Sequence, residues 1–222
     1  MNPPTWSYSA LKSFEDCPKR YYHTKVVKDY VEPDTEALRY GNEFHKAAEL
    51  YIKDGTPLPA KFGFAEAILE SLNAMPGRKI PEMKMGLTAG LKACKFCAKD
   101  VWYRGIADLI IVNGNEARVI DYKTGKSARY ADKGQLELMA LSVFAHLPEV
   151  VSVKGGLLFV VCNAFIKETY TVSNTPRLWQ KWLNKYGSLQ DAFDADTWNP
   201  KPSGLCKAHC VVESCLHNGR NR

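Results

Sequence analysis

A chain of 222 residues that is 45% hydrophobic and 24% charged can bury a core without disulfide staples, and its balance excludes a disordered polymer. A formal charge of +6, with a pI near 8.8, is compatible with a polyanionic partner. No apolar run reaches membrane-spanning length, and the first residues lack a basic segment followed by an apolar one, so the expectation is a cytoplasmic protein with no membrane role.

A serine of Ser7-Tyr8-Ser9 is placed to cap a short helix carrying Leu11 and Phe14, with a boundary or kink at Pro18. Residues 35–53 read as a helix with an apolar stripe of Leu38, Phe44, Ala48, Tyr51 and Ile52, stopped by Asp54-Gly55. A second amphipathic helix spans 62–74 and ends at Met75-Pro76-Gly77. Strands follow at 82–87 and 101–112, then the turn signal Asn113-Gly114-Asn115 and a return strand at 117–123. A helix over 135–147, strands at 156–162 and 165–172, and a helix over 176–193 complete the pattern, and Cys162 is expected in the core of its strand. The order predicts an α/β fold, a mixed central sheet flanked by helices. Residues 1–193 are read as the core and 194–222 as a Cys-rich tail packing on the N-terminus.

Basic residues are unevenly spread. Arg78, Lys79, Lys84, Lys92, Lys95, Lys99 and Arg104 share a stretch with few acids, and Lys123, Lys126, Arg129 and Lys133 form a second group. Either group is solvated surface or a contact for a polyanion.

The predicted hairpin carries the chemistry. A two-residue turn at Gly114-Asn115 sets Asp108 directly opposite Asp121, and a turn one residue earlier makes them diagonal neighbours on the same face. Lys123 follows on that face because strand side chains alternate. Two carboxylates on an otherwise apolar face need a partner, and a hard cation such as Mg²⁺ or Mn²⁺ suits them. The plainer alternative is an Asp–Lys ion pair at a strand end. Gly125-Lys126-Ser127 resembles the end of a phosphate-binding loop, but the position that should hold its first glycine is Ile120, and the next helix begins only near Gln135. A nucleotide loop is therefore excluded.

Five stretches, in order, carry a resemblance: "SYSALKSFEDCPKRYY", "YGNEFHKAAE", "YRGIADLIIV", "VIDYKTGK" and "GQLELMALSVF". Together they are similar to the PD-(D/E)xK nuclease superfamily, and within it to the RecB-nuclease and Cas4-like exonuclease branch. The resemblance implies a restriction-endonuclease-like core. It implies Asp108, Asp121, His45 and the Tyr122 carbonyl as ligands of Mg²⁺ or Mn²⁺. Lys123 would assist attack by water, and Gln135 would position DNA or that water. Glu82 corresponds to an early acidic residue of some members. Met139 departs from the family, which often has a substrate-contacting Tyr there.

Cys206, Cys210 and Cys215 crowd the tail, with His209 and His217 interleaved. Three thiolates and one imidazole could close a zinc site locally. The resemblance implies a [4Fe–4S] cluster held by Cys17, Cys206, Cys210 and Cys215, although the family's first tail pair is tighter, so zinc remains the alternative. Cys94 and Cys97 form a lone C-x-x-C pair, read as structural or incidental.

The expected function is a metal-dependent deoxyribonuclease acting on DNA ends or single strands in DNA processing, recombination or repair. Trp102, Tyr103 and Tyr130 are candidates to line the DNA path, and the core is the alternative place for them. The alternative is a non-catalytic DNA-binding or adaptor module with a structural metal site. The stand-alone form resembles phage-encoded nucleases, which would act in the host cytoplasm. A homo-oligomer or a recombination or repair partner protein stays open.

Overall fold

The computed structural model describes residues 5–129 and 131–221. They form two compact units, Thr35–Trp179 and the residues on either side of that stretch.

The first unit is built on six strands: β1 (Arg78–Thr88), β2 (Ala93–Cys94), β3 (Val101–Asn113), β4 (Glu116–Lys123), β5 (Ser152–Phe159) and β6 (Ala164–Thr171). Their order is β2-β1-β3-β4-β5-β6. Every neighbouring pair is antiparallel except β4 and β5. A parallel pair needs a crossover, and the helix α5 (Gly134–His146) makes it. The sheet is thus mixed, with helices against it. Gly114, at φ +60°, takes the first central position of the β3–β4 turn, where a II′ geometry needs positive φ.

One face of the sheet is covered by α3 (Glu36–Asp54) and α4 (Glu66–Ala74). Phe44, Ala48, Ile52, Leu69 and Leu72 pack there on Leu109, Ile111, Ile120 and Tyr122. Thr35 caps α3 through its hydroxyl and Gly55 ends it in the left-handed region. Within the expected stripe, Leu38 is exposed, because the first turn of α3 lies beyond the covered area. On β5, Leu136 of α5 packs where a side chain of Gly155 would stand. Tyr103 reaches Ser142 of the same helix. Leu109, Ile110, Ile111 and Val112 are all buried, as strands covered on both sides require. Cys162, expected in a strand core, is exposed instead, because β5 ends at Phe159 and the residue falls in the turn to β6.

The second unit holds α1 (Tyr8–Asp16), α2 (Pro18–Tyr21), a π-helical turn over Tyr22–Val26, the later part of α6 (Thr175–Asp194) and the tail. Ser7 accepts from Ala10 N–H at 3.3 Å and so caps α1. Trp198 packs among Phe14, Tyr21, Tyr22 and Phe193. Arg20 grips Glu32 with two hydrogen bonds of 2.9 Å.

Candidate active site

The β3–β4 ladder has the register that sets Asp108 opposite Asp121. It runs from Asn113↔Glu116 to Leu109↔Ile120 and stops one pair short of the two carboxylates. There Asp108 Oδ2 accepts a 2.6 Å hydrogen bond from Tyr122 N–H. A side chain has replaced the ladder and fixes the carboxylate.

β1 adds a third carboxylate. Its pairs Pro81↔Leu109 and Met83↔Ala107 bracket Glu82 and Asp108, which face each other without forming a ladder pair. Glu82 stands at φ +50°, a conformation that costs a residue with a Cβ about 1–2 kcal/mol. Such strain concentrates where function holds a side chain in place. α3 contributes His45, next to the core anchor Phe44, with Nδ1 3.1 Å from Asp108 Oδ1. One ligand atom each from His45, Glu82 and Asp108 lie within 4.8 Å of one another, the one such group among the described residues.

Asp121 is 2% exposed. Its Oδ1 accepts from Gln135 Nε2 at 2.6 Å. Its Oδ2 is 2.6 Å from Lys123 Nζ, a close ion pair. Lys123 Nζ donates in turn to Gln135 Oε1 at 3.0 Å. Gln135, in the first turn of α5, therefore binds the acid with its NH₂ and the amine with its carbonyl.

Electrostatics follow from this crowding. Burial and the Asp108 charge push the Asp121 carboxyl up to about 6, against the pull of Lys123 and His45. Glu82 is raised by burial and then by Asp108. For His45 burial is the largest effect and lowers its pKa, but the Asp108 hydrogen bond and the surrounding carboxylates outweigh it and raise the group. The donor set fits a hard divalent cation. Two carboxylates and an imidazole lie close enough to share an ion at about 2.0–2.6 Å from each oxygen. Asp121 Oδ2 is a buried oxygen without a hydrogen bond. A cation would relieve the repulsion that raises both acids.

The chain is also matched as a sequence. A profile of the PD-(D/E)XK nuclease superfamily matches residues 5–92 and 63–215. The chain belongs to that superfamily. Comparison with functionally curated proteins gives no match. Among solved structures, the chain is similar to a proposed exonuclease from Eubacterium rectale, at 14% identity and a TM-score of 0.55, over 98% of this chain and 88% of that one. That likeness concerns the fold. A second structure, SSO0001, has 14% identity and a TM-score of 0.41 over 98% of this chain and 89% of the other, too slight to carry an argument.

In this PD-(D/E)XK nuclease chain the residues expected at the site lie as follows. His45, Asp108, Asp121, Lys123 and Gln135 come together, and Tyr122 joins through its N–H to Asp108. Glu82 belongs with them by geometry, although only its place in the family pattern marked it. Tyr103, a candidate for the DNA path, is buried and bonded to Ser142, and so is not available to a ligand. Tyr130 lies outside the described residues. Met139 is buried in α5. Lys126 and Ser127 are exposed in an irregular loop, and α5 begins only at Gly134, so no helix end cradles a phosphate there.

Cys17, Cys206, Cys210 and Cys215 line one recess with Arg20 and His217. All four are free thiols. Cys17 Sγ accepts from Lys201 N–H and Cys206 Sγ from Ser203 N–H, each at 3.4 Å. Backbone hydrogen bonds to sulfur are a feature of iron–sulfur ligation. Among the described residues no three Cys or His ligand atoms of the tail lie within 4.8 Å of one another. Zinc–sulfur bonds of about 2.3 Å draw tetrahedral ligands to within about 4 Å. The described tail thiols are thus not gathered at the spacing of a closed zinc site. Cys94 lies on β2, and Cys97 is exposed beyond it.

Proposed function

We propose that this chain is a divalent-metal-dependent deoxyribonuclease acting on DNA ends or single strands. The observation that carries the reading is the Lys123–Gln135–Asp121 contact chain beside His45, Glu82 and Asp108, in a chain of the PD-(D/E)XK superfamily. Asp108, Glu82 and His45 would hold Mg²⁺ or Mn²⁺, with Asp121 and the Tyr122 carbonyl as further donors. That ion, when bound, would polarise the phosphodiester and make a water more acidic.

The protein's own groups do the positioning. Tyr122 N–H fixes the Asp108 carboxylate, so that its other oxygen faces His45. Gln135 holds Lys123 and Asp121 at once and keeps the amine from swinging into solvent. The Lys123 ammonium then stands where negative charge grows on the phosphoryl oxygens as water adds to phosphorus. Preorganised charge of this kind is usually the largest single contribution to catalysis. The fold shared with a proposed exonuclease supports an end-acting enzyme.

The cysteine recess supports a [4Fe–4S] cluster held by Cys17, Cys206, Cys210 and Cys215, with zinc as the alternative. One N-terminal and three C-terminal cysteines also favour the Cas4-like branch. The cluster would be structural, tying the tail to α2.

The test is degradation of labelled linear and circular single-stranded DNA, and of linear duplex, with Mn²⁺. Linear DNA is degraded and circular single strands persist if the enzyme needs an end. Lys123→Ala and Asp121→Ala each lose about 10²–10³-fold in rate. A variant as fast as wild type would remove its residue from the catalytic set.

A further inference from the structure

Beyond the carboxylates, β1, β2 and β3 carry a surface that the site has not used. Burial alternates along β3: Val101, Tyr103 and Ala107 are buried, Trp102 and Arg104 half-buried, and Ile106 exposed. The register sets Ile106 opposite Lys84, Arg104 opposite Gly86, and Gly86 opposite Cys94 on β2. Lys84, Arg104 and Ile106 thus share the open face. The loop after β2 lays Phe96 beside them, with its ring centre 5.3 Å from Arg104 Cζ and 6.0 Å from Lys84 Nζ. Gly86 permits this approach, since a Cβ there would stand 2.9 Å from Lys95 O.

Two cations seated on one ring are costly to hold together unless an anion joins them. Among the described residues neither forms a salt bridge, and Arg104 Nε is buried without a hydrogen-bond partner. The surface is continuous with the site, because Ile106 lines the same cleft as His45, Glu82 and Asp108. From Asp108 to Arg104 is about 13 Å along the strand, a span of a few nucleotides.

We propose that Lys84 and Arg104, seated on Phe96, form a phosphate-binding subsite for a DNA single strand that leaves the carboxylate cluster across β3 and β1. The inference rests on the nuclease reading above. The cations meet phosphates, while exposed Ile106, and the part of half-buried Trp102 that its contact with Trp179 leaves open, offer apolar surface that unpaired bases cover and paired bases cannot reach. A duplex would use the charges and leave that surface bare.

The test is fluorescence anisotropy of labelled oligo(dT) in EDTA, where nothing is cut, over a series of salt concentrations. For single strands the slope of log K against log salt falls by about 0.7 for each phosphate that the protein no longer neutralises. The Lys84→Ala/Arg104→Ala protein binds several-fold more weakly with a shallower slope, and Arg104→Lys restores much of the slope. Lys84 is exposed, so Lys84→Ala alone lowers the slope and leaves the buried core intact. Unchanged affinity and slope in Lys84→Ala and in the double variant overturn the subsite. Equal wild-type affinity for a duplex of the same length overturns the single-strand assignment. Wild-type cleavage with Mn²⁺ is measured on the same preparations. Weakened binding in the variants while wild type cuts nothing supports the subsite and sinks the nuclease reading; cleavage with unchanged variant binding sinks the subsite alone.

Discussion

Asp121 is nearly closed off from water, and its charge is met by one amide and one ammonium. A proton is an alternative partner. With its carboxyl at about 6 in the fold against an ordinary 3.8, metal-free protein binds that proton more tightly folded than unfolded. Stability from this group is therefore fully present below pH 4 and lost as pH rises through 6. Glu82 and His45, both raised, act in the same sense. Urea denaturation in EDTA gives a more stable protein at pH 5 than at pH 7, and Asp121→Asn shrinks the difference. A wild-type difference that Asp121→Asn leaves intact would locate the effect elsewhere. How much of this was legible varied by residue. The facing of Asp108 and Asp121 follows from counting back from a two-residue turn. Glu82 does not, because its place depends on pairing between β1 and β3 across a long loop and on a backbone angle that no pattern announces.

Elements were readable where their own residues determine them. β3, β4 and α5 have dense apolar sequences and emerge near the expected positions. β1 and β5 begin earlier than expected, since Arg78-Lys79 and Ser152–Gly155 are too polar to suggest strands, and partners hold them in the sheet. β2 is two residues long and exists only by pairing with β1. The turn leading into β1 sets where that strand, and so Glu82, will lie. Gly77 occupies it at φ +119°, and a Cβ there would stand 2.4 Å from Val112 O, which is backbone and cannot swing away. Gly77→Ala therefore destabilises the protein by about 1–3 kcal/mol. Gly63→Ala, where a Cβ meets nothing within 4 Å, changes stability by no more than about 0.5 kcal/mol. Thermal melting of the two variants side by side checks this. Equal melting temperatures would mean that the turn yields without strain.

At the scale of the whole molecule, the unit outside Thr35–Trp179 is assembled from both ends of the sequence. Ion pairs and rings contribute, such as Lys185 with Glu15 and Trp198 with Tyr21, but exposed pairs are worth little. A group binding Cys17 together with Cys206, Cys210 and Cys215 would act differently, by closing a loop of nearly the whole chain. In the disulfide analogue, loops above a hundred residues gain on the order of 4–5 kcal/mol from lost freedom of the unfolded chain. Removal of any one ligand should then cost stability far out of proportion to the packing of one thiol. Anaerobically purified protein is expected to be brown, with broad visible absorbance. Cys17→Ser and Cys215→Ser bleach it and lower the melting temperature together, although one thiol is half-buried and the other buried. Cys162→Ser, in the exposed turn after β5, leaves colour and melting unchanged. Packing alone would make Cys215 matter and Cys17 much less, so an equal response at the two ends distinguishes a shared group from local burial. A colourless anaerobic preparation containing stoichiometric zinc would transfer the same argument to that metal and remove the cluster.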